Sequence, residues 1–164
     1  TPQQGSEEEQ TPAGQTHAAF ADPGTRRRAA SASDSRREET RGLTIGDGRR
    51  MKIYVPSYTH FTPELVERAT RADLLFFDGT LWRNDEMIRA GLSPKTGQRM
   101  GHVSVNDAGG PVEAFTSCVK PRKVLIHINN SNPILLEDSP ERSAVERAGW
   151  TVAEAGMNFR LETP

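Results

Sequence analysis

The sequence contains a single cysteine, Cys118, which excludes an intramolecular disulfide and a cysteine-based zinc site. We expect this side chain to be buried at the end of a short amphipathic helix, PVEAFTSC. Long apolar runs are also missing: none approaches the ~20 residues that span a bilayer. No charged start followed by an apolar core marks a signal peptide. A cytoplasmic protein without membrane insertion is therefore expected.

Large apolar side chains are scarce in the first quarter of the chain. Before Leu43 there is no leucine, isoleucine, valine or methionine, and Phe20 is the one large apolar residue. So little apolar surface cannot offset the entropy that is lost when a backbone becomes ordered. Residues 1–41 are therefore predicted to be a disordered, low-complexity tail, and residues 42–164 to be the folded part.

Neither sign of charge is in excess, because the sequence has 21 lysine and arginine residues and 22 aspartate and glutamate residues. The small basic clusters at 26–28 and 36–37 lie among acidic residues. Nucleic-acid binding needs a sustained basic face. We therefore expect no nucleic-acid partner.

From Leu43 onward, strand patterns alternate with helix patterns. Three apolar runs, MKIYVP, DLLFFDG and KVLIHIN, predict strands, and the second has four consecutive large apolar residues, as in a strand that is covered on both faces. TVAEAG and MNFRLE predict two further short strands near the end of the sequence. Because strands separated by helices favour parallel pairing, the pattern predicts an α/β fold.

Four segments carry helix signals. TPELVERATRA begins with Thr62 as a candidate N-cap, and SPERSAVERAGW begins with Ser139 in the same way. NDEMIRAG is predicted to be a helix that is capped by Asn84 and ended by Gly91. PVEAFTSC predicts a helix over residues 111–118.

Asp78 directly follows the apolar run of DLLFFDG, and two functions compete for its carboxylate. Phosphatases of the haloacid-dehalogenase type carry Asp-x-Asp-Gly-Thr after a strand, with the first aspartate as nucleophile. Phe76 stands at that place here, so no carboxylate is available to form a phospho-enzyme. The other candidate role for Asp78 is that of a metal ligand.

A metal site needs partners for Asp78, and the candidates are His102, in a long polar loop, and His127, in KVLIHIN. Within a strand, His127 would face opposite to Ile126 and Ile128 and point away from the core. Two histidines and one carboxylate form the ligand set of many non-haem iron sites. A single isolated histidine is more commonly a satisfied core or edge residue.

Three stretches closely resemble the C-terminal half of the pyrroloquinoline quinone (PQQ) biosynthesis protein B family: ADLLFFDGTLWRNDEMIRAG, KTGQRMGH and VLIHINNSNPILLEDSPERSAVERAGWTVAEAGM. The resemblance runs from about Gly42 to Leu161. It implies the metallo-β-lactamase fold, an αββα sandwich. The chain would supply the C-terminal half of this sandwich after a disordered N-terminal tail.

The resemblance also implies a ligand set and an activity. Asp78 corresponds to the acidic ligand at a strand end, His127 to the fold's last histidine ligand, and His102 to another active-site histidine. Family members are associated with iron-dependent oxygenation of the tyrosine part of a peptide-derived precursor, and are often described instead as aiding transport of the product. The implied cofactor is iron or zinc, and the implied partner is the small peptide-derived precursor.

The sequence departs from the family in its first part. A complete member carries, in its first half, a loop ending in Asp-His that supplies metal ligands, and we find no such motif in residues 1–41. We interpret the chain as a truncated product with an out-of-frame tail, related to an enzyme but holding only part of its metal site. An uncovered sheet face would promote self-association.

The other polar side chains are expected to be structural or solvated. Asparagine favours turns and local backbone hydrogen bonds, and a carboxylate on a helix face or a cation in a loop is commonly solvated. Asp78 itself is expected to be exposed, so that Asp78→Asn would cost little stability. The structural or solvated group comprises His17, His60, Glu86, Lys95, Arg99, Asn129, Asn130 and Asn132.

Overall fold

The structure, a computed structural model, describes residues 42–46 and 49–161. The predicted disordered tail, residues 1–41, lies outside the described residues. The strands are β1 (Leu43–Gly46), β2 (Met51–Val55), β3 (Leu74–Asp78), β4 (Arg122–Ile126) and β5 (Trp150–Val152). The α-helices are α1 (Pro63–Arg71), α2 (Glu86–Arg89), α3 (Pro111–Ala114) and α4 (Pro140–Arg147).

The five strands form one sheet in the order β1-β2-β3-β4-β5. β1 pairs antiparallel with β2, and all other neighbours pair in parallel. This confirms the α/β prediction, and the parallel pairs are those whose strands are separated by helices. Asp78, at the end of β3, is in register with Ile126, at the end of β4. The parallel pairing therefore brings the segments that follow β3 and β4 to the same edge of the sheet.

The two longer helices begin where the capping signals predict. Leu65 N donates to the Thr62 hydroxyl at 3.3 Å before α1, and Arg142 N donates to the Ser139 hydroxyl at 2.9 Å before α4. Each contact satisfies an amide that the first helical turn leaves without a partner. α4 is followed by Gly149, whose φ of 79° suits a residue without a Cβ.

An aromatic cluster forms the centre of the core on one face of the sheet. Phe77 is fully buried, and its ring lies 5.1–5.5 Å from three other rings, centroid to centroid, with a fourth at 6.4 Å. Such edge and stacked contacts stabilise aromatic cores beyond the burial of area alone. Phe77 directly precedes Asp78 in the chain, and the cluster comprises Tyr58, Phe61, Phe77, Phe115 and Trp150.

Several predicted boundaries are wrong. α2 begins at Glu86, and its N-cap position is occupied by Asp85 and not by Asn84. The Asn84 side chain instead accepts from Gln98 N at 2.9 Å and so holds the following loop. α3 ends at Ala114, well before Cys118, although the cysteine is buried as expected. Residues 157–161, which belong to MNFRLE, form no strand.

The hairpin strand β1 is an element that the sequence analysis did not predict. Within residues 42–46 and 49–161, none of the helices has the length and apolar character needed to cross a membrane.

Lys123 is buried, and among the described residues its ammonium donates to the carbonyl oxygens of Phe115 at 3.4 Å and Ala148 at 3.3 Å and lies 5.5 Å from the centre of the Trp150 ring. Burial lowers the pKa of Lys123 below its ordinary value. At a pH between the folded and the unfolded pKa, the unfolded chain binds more protons, so stability rises with pH across that window. Methionine does not titrate, so we expect the stability of the Lys123→Met variant to lack this rise with pH.

Urea denaturation at about pH 7 and about pH 9.5 measures the difference between Lys123→Met and wild type. Lys95→Met, which changes an exposed loop residue, is the control and should follow the wild type. A Lys123→Met variant with the same pH dependence as the wild type would contradict the assignment.

Candidate metal centre

Asp78 is fully buried at the end of β3, with 0% of its surface exposed. Oδ2 accepts from Tyr58 N at 3.3 Å, and Oδ1 accepts from Thr80 N at 3.1 Å. The expectation that this carboxylate is exposed is therefore wrong. It caps the turn that follows β3, and the same two oxygens also face two histidine side chains.

The residue that follows Asp78, Gly79, lies too close to β4 for a side chain to fit easily. A Cβ built on Gly79 would lie 3.0 Å from the Leu125 side chain and 3.3 Å from Ile126 O. The Gly79 amide donates to Ile126 O at 2.8 Å, which continues the ladder between β3 and β4 by one more bond. The close approach of the two chain segments fixes Asp78 relative to the end of β4.

His102 reaches Asp78 from the long polar loop. Its amide donates to Gly97 O at 3.0 Å, and its Nδ1 lies 2.7 Å from Asp78 Oδ2. A Cβ on Gly97 would lie 2.9 Å from the Leu81 side chain and 3.3 Å from His102 O, so this turn also depends on glycine. The His102 side chain is 13% exposed.

His127 lies immediately after β4 and not within it. Its φ of 55° is left-handed, a conformation that a residue with a Cβ adopts at an energetic cost and that is found preferentially at functional sites. The side chain is 55% exposed, and its Nδ1 lies 3.8 Å from Asp78 Oδ1. The predicted alternation with Ile126 and Ile128 is wrong, because the backbone turn re-aims the ring toward Asp78.

Asp78, His102 and His127 thus converge, and their ligand atoms lie within 4.8 Å of one another. The two imidazole rings are 5.3 Å apart, centroid to centroid. Two neutral imidazoles and one carboxylate suit iron or zinc and leave other coordination positions open. The donor set that is present therefore fits such a metal.

Thr80 is a site residue that the sequence analysis did not identify. Its hydroxyl lies 2.5 Å from Asp78 Oδ1, 3.1 Å from His102 Nδ1 and 2.8 Å from His127 Nδ1. It is also 2.9 Å from His127 O. One hydroxyl therefore contacts all three candidate ligands, and the signal for it was its place in the string Asp-Gly-Thr.

Asn132 joins the two loops that carry the site. Its buried side-chain amide donates to Gly79 O at 2.9 Å, and its carbonyl accepts from Ile134 N at 3.1 Å. Asn129 N donates to Thr80 O at 3.0 Å. The contact with Ile134 is the local backbone bond that was predicted for asparagine. The contacts with Gly79 and Thr80 are long-range and hold the turn after β3 against the loop after β4.

Glu86 is not the solvated helix-face carboxylate that the sequence analysis expected. It accepts from Trp82 N at 2.6 Å and from the Ser131 hydroxyl at 2.5 Å. Lys95, Arg99 and His60 are exposed, and none of them belongs to the cluster of candidate ligands. His17 lies outside the described residues.

Thr80→Val is expected to lower zinc affinity about 10- to 100-fold, the usual cost of losing an outer-shell partner of a metal ligand. The valine side chain keeps the shape of threonine but cannot hydrogen-bond Asp78, His102 or His127, while the amide of residue 80 still donates to Asp78 Oδ1. Thr80→Ser keeps the hydroxyl and should retain most of the affinity. Calorimetric zinc titration of both variants measures the effect. Unchanged binding by Thr80→Val would show that the hydroxyl only completes the turn.

Comparison with known proteins finds a family and several close relatives. A family model described as "Beta-lactamase superfamily domain" matches residues 4–128. "Coenzyme PQQ synthesis protein B" of Gluconobacter oxydans (strain 621H) is 69% identical over 153 residues, which are 93% of this chain and 50% of that protein. The protein of the same name from Gluconacetobacter diazotrophicus is 51% identical over 154 residues, 91% of this chain and 50% of that protein.

A solved structure is also similar. The crystal structure of zinc-bound PqqB from Methylobacterium extorquens shares 44% sequence identity with this chain and superposes with a TM-score of 0.69. The superposition covers 73% of this chain and 43% of that one. The chain spans about half the length of the relatives that it matches.

Proposed function

The chain belongs to the beta-lactamase superfamily, in which its relatives are coenzyme PQQ synthesis proteins B, and from this premise we propose that it forms the C-terminal part of a metal-dependent enzyme of PQQ biosynthesis. In this proposal the metal is iron or zinc, and the reaction is oxygenation of a tyrosine-derived, peptide-derived precursor. The observation that carries the proposal is the convergence of Asp78, His102 and His127 at one edge of the sheet.

The three candidate ligands differ in exposure, so the site is open to solvent on one side. Asp78 is 0% exposed and His102 13% exposed, whereas His127 is 55% exposed. The carboxylate therefore anchors the site from the interior, and a substrate approaches from the side of His127. Metal binding requires that the ligating ring nitrogen of each histidine carries no proton.

The residues of this chain orient the ligands, and the metal supplies the reactive centre. Bound iron would supply redox chemistry for oxygen insertion, and bound zinc would supply a Lewis acid. Tyr58 N holds one oxygen of Asp78, and Thr80 lies against the other oxygen and both imidazoles. These contacts limit the rotation of the ligands and so lower the cost of ordering them on metal uptake.

Metal stoichiometry tests the proposal on the chain as it stands. Anaerobic titration with Fe(II), and titration with Zn(II), should both saturate at about one ion per chain. A double variant, His102→Ala with His127→Ala, should not saturate. Equal uptake by the double variant would mean that the metal binds elsewhere.

A non-catalytic carrier of PQQ or its precursor is the alternative function, and the exposed, open side of the site at His127 is compatible with it. A carrier needs no metal, so the metal-free chain should bind PQQ, and the double variant should bind it equally well. A strain that lacks its full-length coenzyme PQQ synthesis protein B provides the cellular test. Rescue by the wild-type chain but not by the double variant would support the metal-dependent enzyme.

A further inference from the structure

His102 is carried by the long loop between α2 and α3, which includes the short 3-10 helix Gln98–Met100. A loop of this length is commonly mobile unless other segments tie it down. Asp78 and His127, in contrast, lie at the end of one strand and directly after another. The position of His102 relative to the other two candidate ligands therefore depends on the contacts that tether its loop.

The peptide group that leads into His102 is held at both ends. Its nitrogen, His102 N, donates to Gly97 O at 3.0 Å. Its oxygen, Gly101 O, accepts from the Ser57 hydroxyl at 2.9 Å. Gly101 has a φ of 91°, a left-handed conformation that a residue without a Cβ adopts readily. One contact from within the loop and one from outside it thus fix the plane of this peptide group.

The peptide group on the other side of His102 is held by the residue next to Ser57. Val103 N donates to Tyr58 O at 2.7 Å, and Tyr58 N donates to Asp78 Oδ2 at 3.3 Å. The same carboxylate oxygen lies 2.7 Å from His102 Nδ1. The dipeptide 57–58 therefore contacts the backbone on both sides of one candidate ligand and the side chain of another.

The dipeptide Ser57-Tyr58 is itself anchored in the core. The Tyr58 ring is buried, and it lies 5.0 Å from the Phe61 ring and 5.5 Å from the Phe77 ring, centroid to centroid. Its hydroxyl accepts from Thr62 N at 2.9 Å, directly before α1. Because these contacts fix the dipeptide to the core, it can hold the loop in place and does not move with it.

We propose that Ser57 is a positioning residue of the metal centre, and that its hydroxyl, through Gly101 O, holds His102 where the ring meets Asp78. Among the described contacts to the two peptide groups that flank His102, the one from Ser57 comes from a side chain, and the others come from backbone groups. A substitution can therefore remove it and leave the backbone contacts in place. The inference rests on the proposed function in one respect, that His102 binds the metal.

Holding His102 in advance lowers the cost of binding a metal. A ligand that already has its binding orientation loses less conformational entropy on metal uptake than one on a mobile loop. One hydrogen bond of this kind changes an equilibrium about 2- to 10-fold. The expected effect is smaller than that of Thr80, whose hydroxyl contacts the side chains of the candidate ligands directly.

Zinc titration of three variants tests the effect on the metal. Ser57→Ala should weaken zinc binding about 2- to 10-fold. Ser57→Thr keeps a hydroxyl at the same position and should restore the affinity of the wild type. Ser93→Ala is the matched control, because the Ser93 hydroxyl accepts from Lys95 N at 3.1 Å earlier in the same loop. This control should bind zinc like the wild type.

Labelling of the histidines with diethyl pyrocarbonate tests the same contact without metal. The reagent modifies accessible neutral imidazoles, and mass spectrometry gives the rate at each histidine. His102 is 13% exposed and His127 is 55% exposed, so His102 should react more slowly in the wild type. In Ser57→Ala the rate at His102 should rise about 2- to 10-fold, because the loop opens more often. The rates at His60 and His127 should not change, and Ser57→Thr should label like the wild type.

The two measurements separate this inference from the proposed function. A faster rate at His102 together with weaker zinc binding, both restored in Ser57→Thr, would support the inference. An unchanged rate at His102, an equal rise at all three histidines, or an unchanged affinity in a chain that binds zinc would overturn it. If the wild-type chain takes up no zinc, the proposed function fails, and the labelling rates still decide whether Ser57 positions His102.

Discussion

Asp78→Asn is expected to weaken zinc binding by more than the roughly 10- to 100-fold that loss of an outer-shell partner costs. The substitution keeps the size of the side chain but removes the negative charge that the metal requires from its carboxylate ligand. It also places an amide NH2 where an oxygen now accepts from Tyr58 N or from Thr80. Calorimetric titration with zinc measures the affinity, and Asp138→Asn, in an exposed loop, is the control.

The same substitution is expected to lower the free energy of unfolding by about 1–3 kcal/mol, because it leaves a buried donor without an acceptor. This replaces the expectation of a small cost, which assumed an exposed carboxylate. The two effects separate the proposed role of Asp78 as a metal ligand from its role as the cap of the turn. A variant that unfolds more readily but takes up zinc like the wild type would leave only the capping role.

The order of strands and helices could be predicted because each segment has its own apolar period and its own capping residues. DLLFFDG and TPELVERATRA carry these signals locally, and β3 and α1 form there. The resemblance to the PQQ biosynthesis protein B family is confirmed by the relatives and by the fold. β1 was missed because its stability depends on pairing with β2, which local pattern does not show.

Asp78, His102 and His127 were named as candidate ligands from the sequence, but the geometry that brings them together was not predicted. Asp78 and His127 follow neighbouring parallel strands, so their approach follows from the topology once the strand order is known. The left-handed backbone at His127 and the burial of Asp78 depend on contacts with distant segments, such as Tyr58 and Gly79. Thr80 and Asn132 were missed as site residues because their roles consist of contacts between two loops.

The first segment of the sequence needs a different interpretation. The family match begins at residue 4 and so includes nearly all of residues 1–41, in which the sequence analysis found no resemblance. That match argues against an out-of-frame origin for the segment. The segment has few large apolar residues, so the apolar patterns that mark the rest of the sequence do not reveal the relationship.

Phe77→Ala is expected to produce the largest loss of stability in the described part of the chain, about 3–5 kcal/mol. Phe77 is fully buried, and its ring packs against those of Tyr58, Phe61 and Phe115. A loss of this size is a large fraction of the 5–15 kcal/mol that stabilises a typical domain. Urea denaturation measures the loss, and zinc affinity should fall with it, because Tyr58 contacts both Phe77 and Asp78.

Phe76→Ala is the matched control, since Phe76 is the preceding residue on β3 and points to the opposite face of the sheet. That ring is only partly buried, with Phe159 at 5.2 Å and Tyr54 at 6.3 Å, centroid to centroid. Its removal should therefore cost clearly less than the removal of Phe77. Equal losses at low protein concentration would contradict a core on one face of the sheet. A Phe76→Ala loss that grows with protein concentration would instead indicate that a second copy covers the other face, as the expected self-association requires.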